Sequence, residues 1–248
     1  MSLLTVSNPK TIKGRVRGYL TAVLHLAPAR LSGWNMCAAS SRGCRDACLN
    51  TAGRGGMIAG AAQMSGHELT VAITHGKMNT VHIARLRKTH EYMTNRAEFM
   101  SQLIKDITRL VNYAKSKNLT PAIRLNATSD VKWETVKTDT GETIFERFPT
   151  VQFYDYTKIA IRLVSVLPPN YHLTFSLSES NDAQAKAVLG HGKNVAVVFR
   201  TKVLPATFMG YPVVNGDETD LRFLDASNVI VGLYAKGKAK KDTSGFVR

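Results

Sequence analysis

The chain has few cysteines, few tryptophans and few acids, and no long uninterrupted apolar run. No window approaches the roughly eighteen apolar residues of a membrane-spanning helix. The opening "MSLLTVSNPKTIKG" lacks the charged start, apolar stretch and small-residue cleavage site of a signal peptide. These two absences predict a cytoplasmic protein, in the host cytoplasm if the source is viral. Two tryptophans are too few for a base-stacking platform. There is no G-x-x-x-x-G-K-[ST] and no G-x-G-x-x-G after a strand, so nucleotide binding by a phosphate-cradling loop has no support in the sequence. The seven histidines are scattered and form no H-E-x-x-H. Three thiols make an odd set, which a reducing cytoplasm would not convert into a disulfide framework.

The shortage of acids leaves a formal charge of +15, and the excess is uneven. Up to Gly60 the basic residues Lys10, Lys13, Arg15, Arg17, Arg30, Arg42, Arg45 and Arg54 face one acid, Asp46. A field of that sign attracts phosphates or nucleic acid. No RNP, helix-turn-helix or zinc-finger pattern accompanies it, so an ordinary soluble basic surface explains the charge equally well.

With 44% hydrophobic residues the chain can bury a sizeable core. The spacing predicts one α/β domain over residues 1–236 and a basic flexible tail over 237–248. Asn95 stands where a helix cap would, with Glu98 at the third helical position. Phe99, Leu103, Ile107, Leu110, Val111 and Ala114 then share one face of a helix ending near Asn118. Five β-branched and aromatic runs follow, at 122–128, 150–157, 171–178, 194–201 and 228–235. Segments of helical length separate several of them, notably 156–166 and 181–189. That rhythm predicts parallel βαβ units and an incomplete parallel (β/α) barrel-like sheet with an N-terminal cysteine loop.

Polar residues gather where each strand candidate ends. In parallel sheets the carboxyl ends share one face, and ligands bind there. On that ground Asp130, Asp155, Lys158 and Glu179 are candidate catalytic residues, and Asn126, Ser176, Ser178 and Arg54 are candidate cofactor-binding residues. The competing reading is that loops are polar anyway. Asp217, Asp220, Arg222 and Asp225 are expected as salt-bridged loop residues.

All three cysteines lie between Cys37 and Cys48, spaced Cys37-x6-Cys44-x3-Cys48. Three thiolates suit a 4Fe-4S cluster with one open iron, flanked by Arg42, Arg45 and Arg54 to offset its charge. A structural zinc would need a fourth ligand, such as His25, His67 or His75. The plain alternative is three small buried thiols.

The chain resembles a phage protein family, the gene-product-eighty-eight-like group, over most of its length. The likeness rests on "NPKTIKG", the three-cysteine segment followed by "GRGG", "RLNATSD", "FPTVQFYDYTK", "HLTFSLSES", "VAVVF" and "NGDETDLRFLD". The cysteine loop is also similar to that of radical SAM enzymes, which hold a 4Fe-4S cluster at the mouth of a partial barrel. Its gaps are longer than the C-x3-C-x2-C of that family, and no glycine-glycine-glutamate segment follows. This second resemblance implies SAM as a possible cofactor on the open iron. Two functions are therefore expected: an iron–sulfur enzyme using Cys37, Cys44 and Cys48, or a basic nucleic-acid-binding protein with a structural or redox-sensing cluster.

Overall fold

The computed structural model describes residues 2–6, 9–51 and 80–248. Nine strands form one sheet. They are β1 (Leu4–Thr5), β2 (Tyr19–Leu24), β3 (Thr120–Arg124), β4 (Gln152–Thr157), β5 (Tyr171–Ser176), β6 (Val195–Phe199), β7 (Thr207–Phe208), β8 (Tyr211–Asn215) and β9 (Ile230–Tyr234). The spatial order is β1-β2-β3-β4-β5-β6-β9-β8-β7. Every pair from β2 through β6 to β9 and β8 is parallel. The short β1 and β7 run antiparallel at the two edges, so the sheet is open and is not a closed barrel.

Among the described residues there are seven α-helices. In chain order they are α1 (Pro9–Arg15), α2 (Arg42–Asp46), α3 (Thr80–Thr94), α4 (Arg96–Ser116), α5 (Ile144–Arg147), α6 (Ile161–Val164) and α7 (Asp182–Gly190). The five expected apolar runs all become parallel strands, because alternate residues can pack on helices along one face of the sheet. Leu20, Ala22 and Leu24 of β2, Ile123 of β3, Phe153 of β4 and Phe175 of β5 supply that face. They share a core cluster with Phe99, Leu103, Ile107 and Leu110 of α4 and Val188 and Leu189 of α7. Burying each such side chain contributes about 1.5–3 kcal/mol, which is what fixes the strand register.

Three local expectations change. Asn95 makes no side-chain capping bond, because α3 runs almost directly into α4 and Asn95 serves as the joint, its N–H bonded to the Glu91 carbonyl at 2.8 Å. The helix expected over 156–166 is confined to α6, since β4 continues to Thr157, which pairs with Phe175 of β5. Residues 237–248, expected as a flexible tail, are packed: Phe246 and Val247 are buried with Ala47, Ala235 and Ala239. The Arg248 N–H donates to the Val198 carbonyl at 2.8 Å, extending the hydrogen bonding of β6.

Candidate functional site

The face of the sheet opposite the helices is polar at its carboxyl end, and the pleat determines which side chains reach it. Along β4 and the residue that follows it, Phe153, Asp155 and Thr157 alternate with Tyr154, Tyr156 and Lys158. Phe153 lies in the helix-side core, so Tyr156 and Lys158 point the other way. They border a cavity of about 230 Å³, with Arg124 and Asn126 from the end of β3, Ser176 from β5, Ala196 and Val198 from β6, and Leu233 from β9. Cys37, Cys44, Cys48, Asp130 and Phe246 complete the wall. Arg54, His67, His75 and the "GRGG" segment lie outside the described residues.

The structure thus brings seven sequence-selected residues to one cavity: Cys37, Cys44, Cys48, Asn126, Asp130, Lys158 and Ser176. Lys158 donates to Ser176 Oγ at 2.6 Å and hydrogen-bonds the Cys44 thiol. Its ammonium lies 5.3 Å from the Phe246 ring centroid. Asp130 is occupied within the protein, accepting from the Lys158 N–H at 2.9 Å and from Arg162 at 2.8 Å. Burial pushes its carboxyl above the ordinary range.

Asn126 borders the cavity but is committed to building it. Its Oδ1 accepts from Ser129 Oγ, the Val131 N–H and Trp133 Nε1, and its own N–H donates to Asp155 at 2.8 Å. Asp155 lies on the helix side, fully buried, and also accepts from Tyr171 Oη at 3.0 Å. Ser178 is buried in the turn after β5, where its N–H donates to Asn181 Oδ1 at 2.7 Å. Glu179 ties that turn to α2, accepting from Ser41 Oγ and from the Gly43 N–H, each at 2.7 Å. Asp155, Ser178 and Glu179 therefore support the cavity from outside it.

Arg124 and Phe246 were missed by sequence reasoning. Alternation could have found Arg124, which shares a face with Asn126 two residues on. Nothing local could have found Phe246, since its place depends on the chain returning to β6. The acidic loop is salt-bridged as expected: Arg124 pairs with Asp220 at 2.8 Å, Arg222 with Asp225 at 3.3 Å, and Lys236 with Asp217.

The iron–sulfur assignment is overturned. Among the described residues no group of three or more His, Cys, Asp or Glu side chains is arranged to hold a metal ion. The thiols line one cavity, but local hydrogen bonds engage them separately. Cys37 Sγ accepts from the Ala29 N–H at 3.4 Å and lies 3.6 Å from the Thr128 carbonyl it donates to; Cys48 Sγ accepts from the Asn50 N–H at 3.5 Å. Burial pushes Cys37 up to about 12 and Cys48 up to about 11, and raises Cys44 too, so without a metal the three are neutral thiols. The nucleic-acid-binding alternative, read from the basic N-terminal half, loses its structural or redox-sensing cluster with this assignment, and nothing in the structure supports the contact with nucleic acid.

Among the described residues no helix is long and apolar enough to cross a membrane. No curated protein and no solved structure matches the chain. The family model described as gene product 88 matches residues 2–248, and the chain belongs to that family; nothing in the match supports the likeness to radical SAM enzymes.

Proposed function

We propose that this member of the gene product 88 family binds a small carboxylic acid in the cavity at the carboxyl ends of its parallel strands. In this reading the open sheet works as an incomplete barrel, with α4 and α7 packed on one face and its ligand on the other.

The observation that carries the reading is the charge state of the cavity. Arg124 and Lys236 are each paired with a carboxylate, Asp220 and Asp217. Lys158 is half-buried; its ammonium hydrogen-bonds two neutral groups, Ser176 and Cys44, and it shares the field of the Asp130 carboxylate with Arg162, which Asp130 and Glu134 both pair. An ammonium in a largely apolar pocket that has no carboxylate in direct hydrogen-bond contact gains a charge-assisted hydrogen bond from an incoming carboxylate. One partly compensated positive charge suits a single carboxylate better than a phosphate dianion. At about 230 Å³ the cavity is smaller than the roughly 300–1,000 Å³ of drug-sized pockets, so the ligand is small. The three protonated thiols, with Ala47, Val198 and Phe246, supply a polarisable, mostly apolar wall for its carbon skeleton.

The test is calorimetric titration of a panel of short carboxylates and phosphate monoesters. Carboxylates should bind, and Lys158→Met, which keeps the aliphatic stem, should weaken them at least about tenfold, the value of one charge-assisted hydrogen bond. Filling the cavity with Ala196→Phe should abolish binding. Affinity that survives both changes would place the ligand elsewhere and end this reading.

A further inference from the structure

The same cavity has a second pair of polar groups with no partner of their own. Tyr156 Oη and Arg124 Nε are buried, and among the described residues neither has a hydrogen-bond partner. Buried polar atoms are almost always satisfied, so two neighbours left open together point to a group that enters from outside. They do lie together: the Arg124 guanidinium carbon sits 4.9 Å from the Tyr156 ring centroid. Tyr156 and Arg124 border the cavity, and Arg124 is only 8% exposed.

We infer that the ligand carries a second head, a neutral hydrogen-bond acceptor such as an amide or ketone carbonyl, which accepts from Tyr156 Oη and Arg124 Nε while its carboxylate lies on Lys158. This rests on the carboxylate reading of the cavity and adds the class of acid. The second head is neutral because Arg124 already has its counter-charge in Asp220 at 2.8 Å, and a second carboxylate would be repelled by it. Tyr156 and Lys158 stand two residues apart at the end of β4 and both border the cavity, so one small ligand can reach both, and the ligand class is a short ω-amido or oxo acid.

The experiment titrates three acids of equal chain length into the full protein: a plain alkanoate, its ω-amide and the dicarboxylate. The ω-amide should bind about tenfold tighter than the alkanoate. Tyr156→Phe should erase that advantage, so that ω-amide and alkanoate bind the variant equally, with the thermal unfolding transition of the variant showing that it is folded. If alkanoate and ω-amide bind the wild type equally, or if the advantage survives Tyr156→Phe, the second head is refuted while the carboxylate site stands. A dicarboxylate that binds tighter than the ω-amide refutes the neutral head. If none of the three acids binds, the carboxylate reading fails and this inference fails with it.

Discussion

Asp155 shows how one side chain can support a site without entering it. Its carboxylate fastens the backbone and side chain of Asn126 and accepts from Tyr171, so it sets where β3 ends and the loop 126–133 begins. Burial raises its pKa from the model-peptide value of 3.8 to about 7, outweighing the opposing pull of Arg124 and of the hydrogen bonds it accepts. Because the folded value is above the unfolded one, the protonated form is favoured by folding. The stabilisation from Asp155 is therefore present below about pH 4 and is lost as the pH rises towards about 7. Wild-type thermal stability should fall across that window relative to Asp155→Asn, which cannot ionise. Parallel profiles for the two proteins would show that Asp155 titrates normally. The sequence placed Asp155 at a strand end, but the two-residue period turns its side chain to the helix side, away from the cavity.

Among the elements, α2 is the one that cannot stand alone. Five residues form barely more than a turn, too short to be stable in isolation. Ser41 caps it by accepting from the Cys44 N–H at 3.2 Å, and Glu179 holds both Ser41 and Gly43 from the turn after β5. Burial works against the Glu179 charge, yet these donors keep its pKa below the ordinary carboxylate value. The approach is close at Gly43, where an added Cβ would sit 2.1 Å from Ser244 Oγ and 2.8 Å from Glu179 Oε2. Removing the tether with Glu179→Ala should free the helix to open locally, so that maleimide modifies Cys44 about tenfold faster with little change in the global unfolding transition. An unchanged labelling rate would mean that packing against Ala47 and Phe246 holds α2 without the tether.

At the scale of the whole molecule, the last residues close the wall that the cysteine loop begins. Phe246 borders the cavity and packs with Ala47, Ala235 and Ala239, Arg248 bonds through its backbone to Val198 and Arg200, and its guanidinium reaches Asp182 at 3.0 Å. Phe246→Ala should cost about 3 kcal/mol in denaturant unfolding, the lower end for a buried aromatic. A loss under about 0.5 kcal/mol, the usual effect of a surface change, would show that this segment is not packed in solution.

The sequence by itself determined the parallel α/β sheet, because period-two and period-3.6 apolar spacing are local consequences of burying one face of each element. "AIRLNAT", "VQFYDYT" and "YHLTFSLS" were readable as strands for that reason, and so was α4 from Phe99 to Ala114. The grouping of Cys37, Cys44 and Cys48 with Asn126, Asp130, Lys158 and Ser176 was also readable in outline, since parallel strands end on one face. Only the tertiary structure decided which strand-end residues face the cavity and which the helices, since that choice depends on register against neighbouring strands. It alone placed Phe246 in the wall and gave Arg124 its counter-charge in Asp220, because both contacts join segments about a hundred residues or more apart in the chain. It also decided against the cluster: spacing reports how many thiols are near one another in the chain, whereas ligation requires their sulfurs to converge on one point in space.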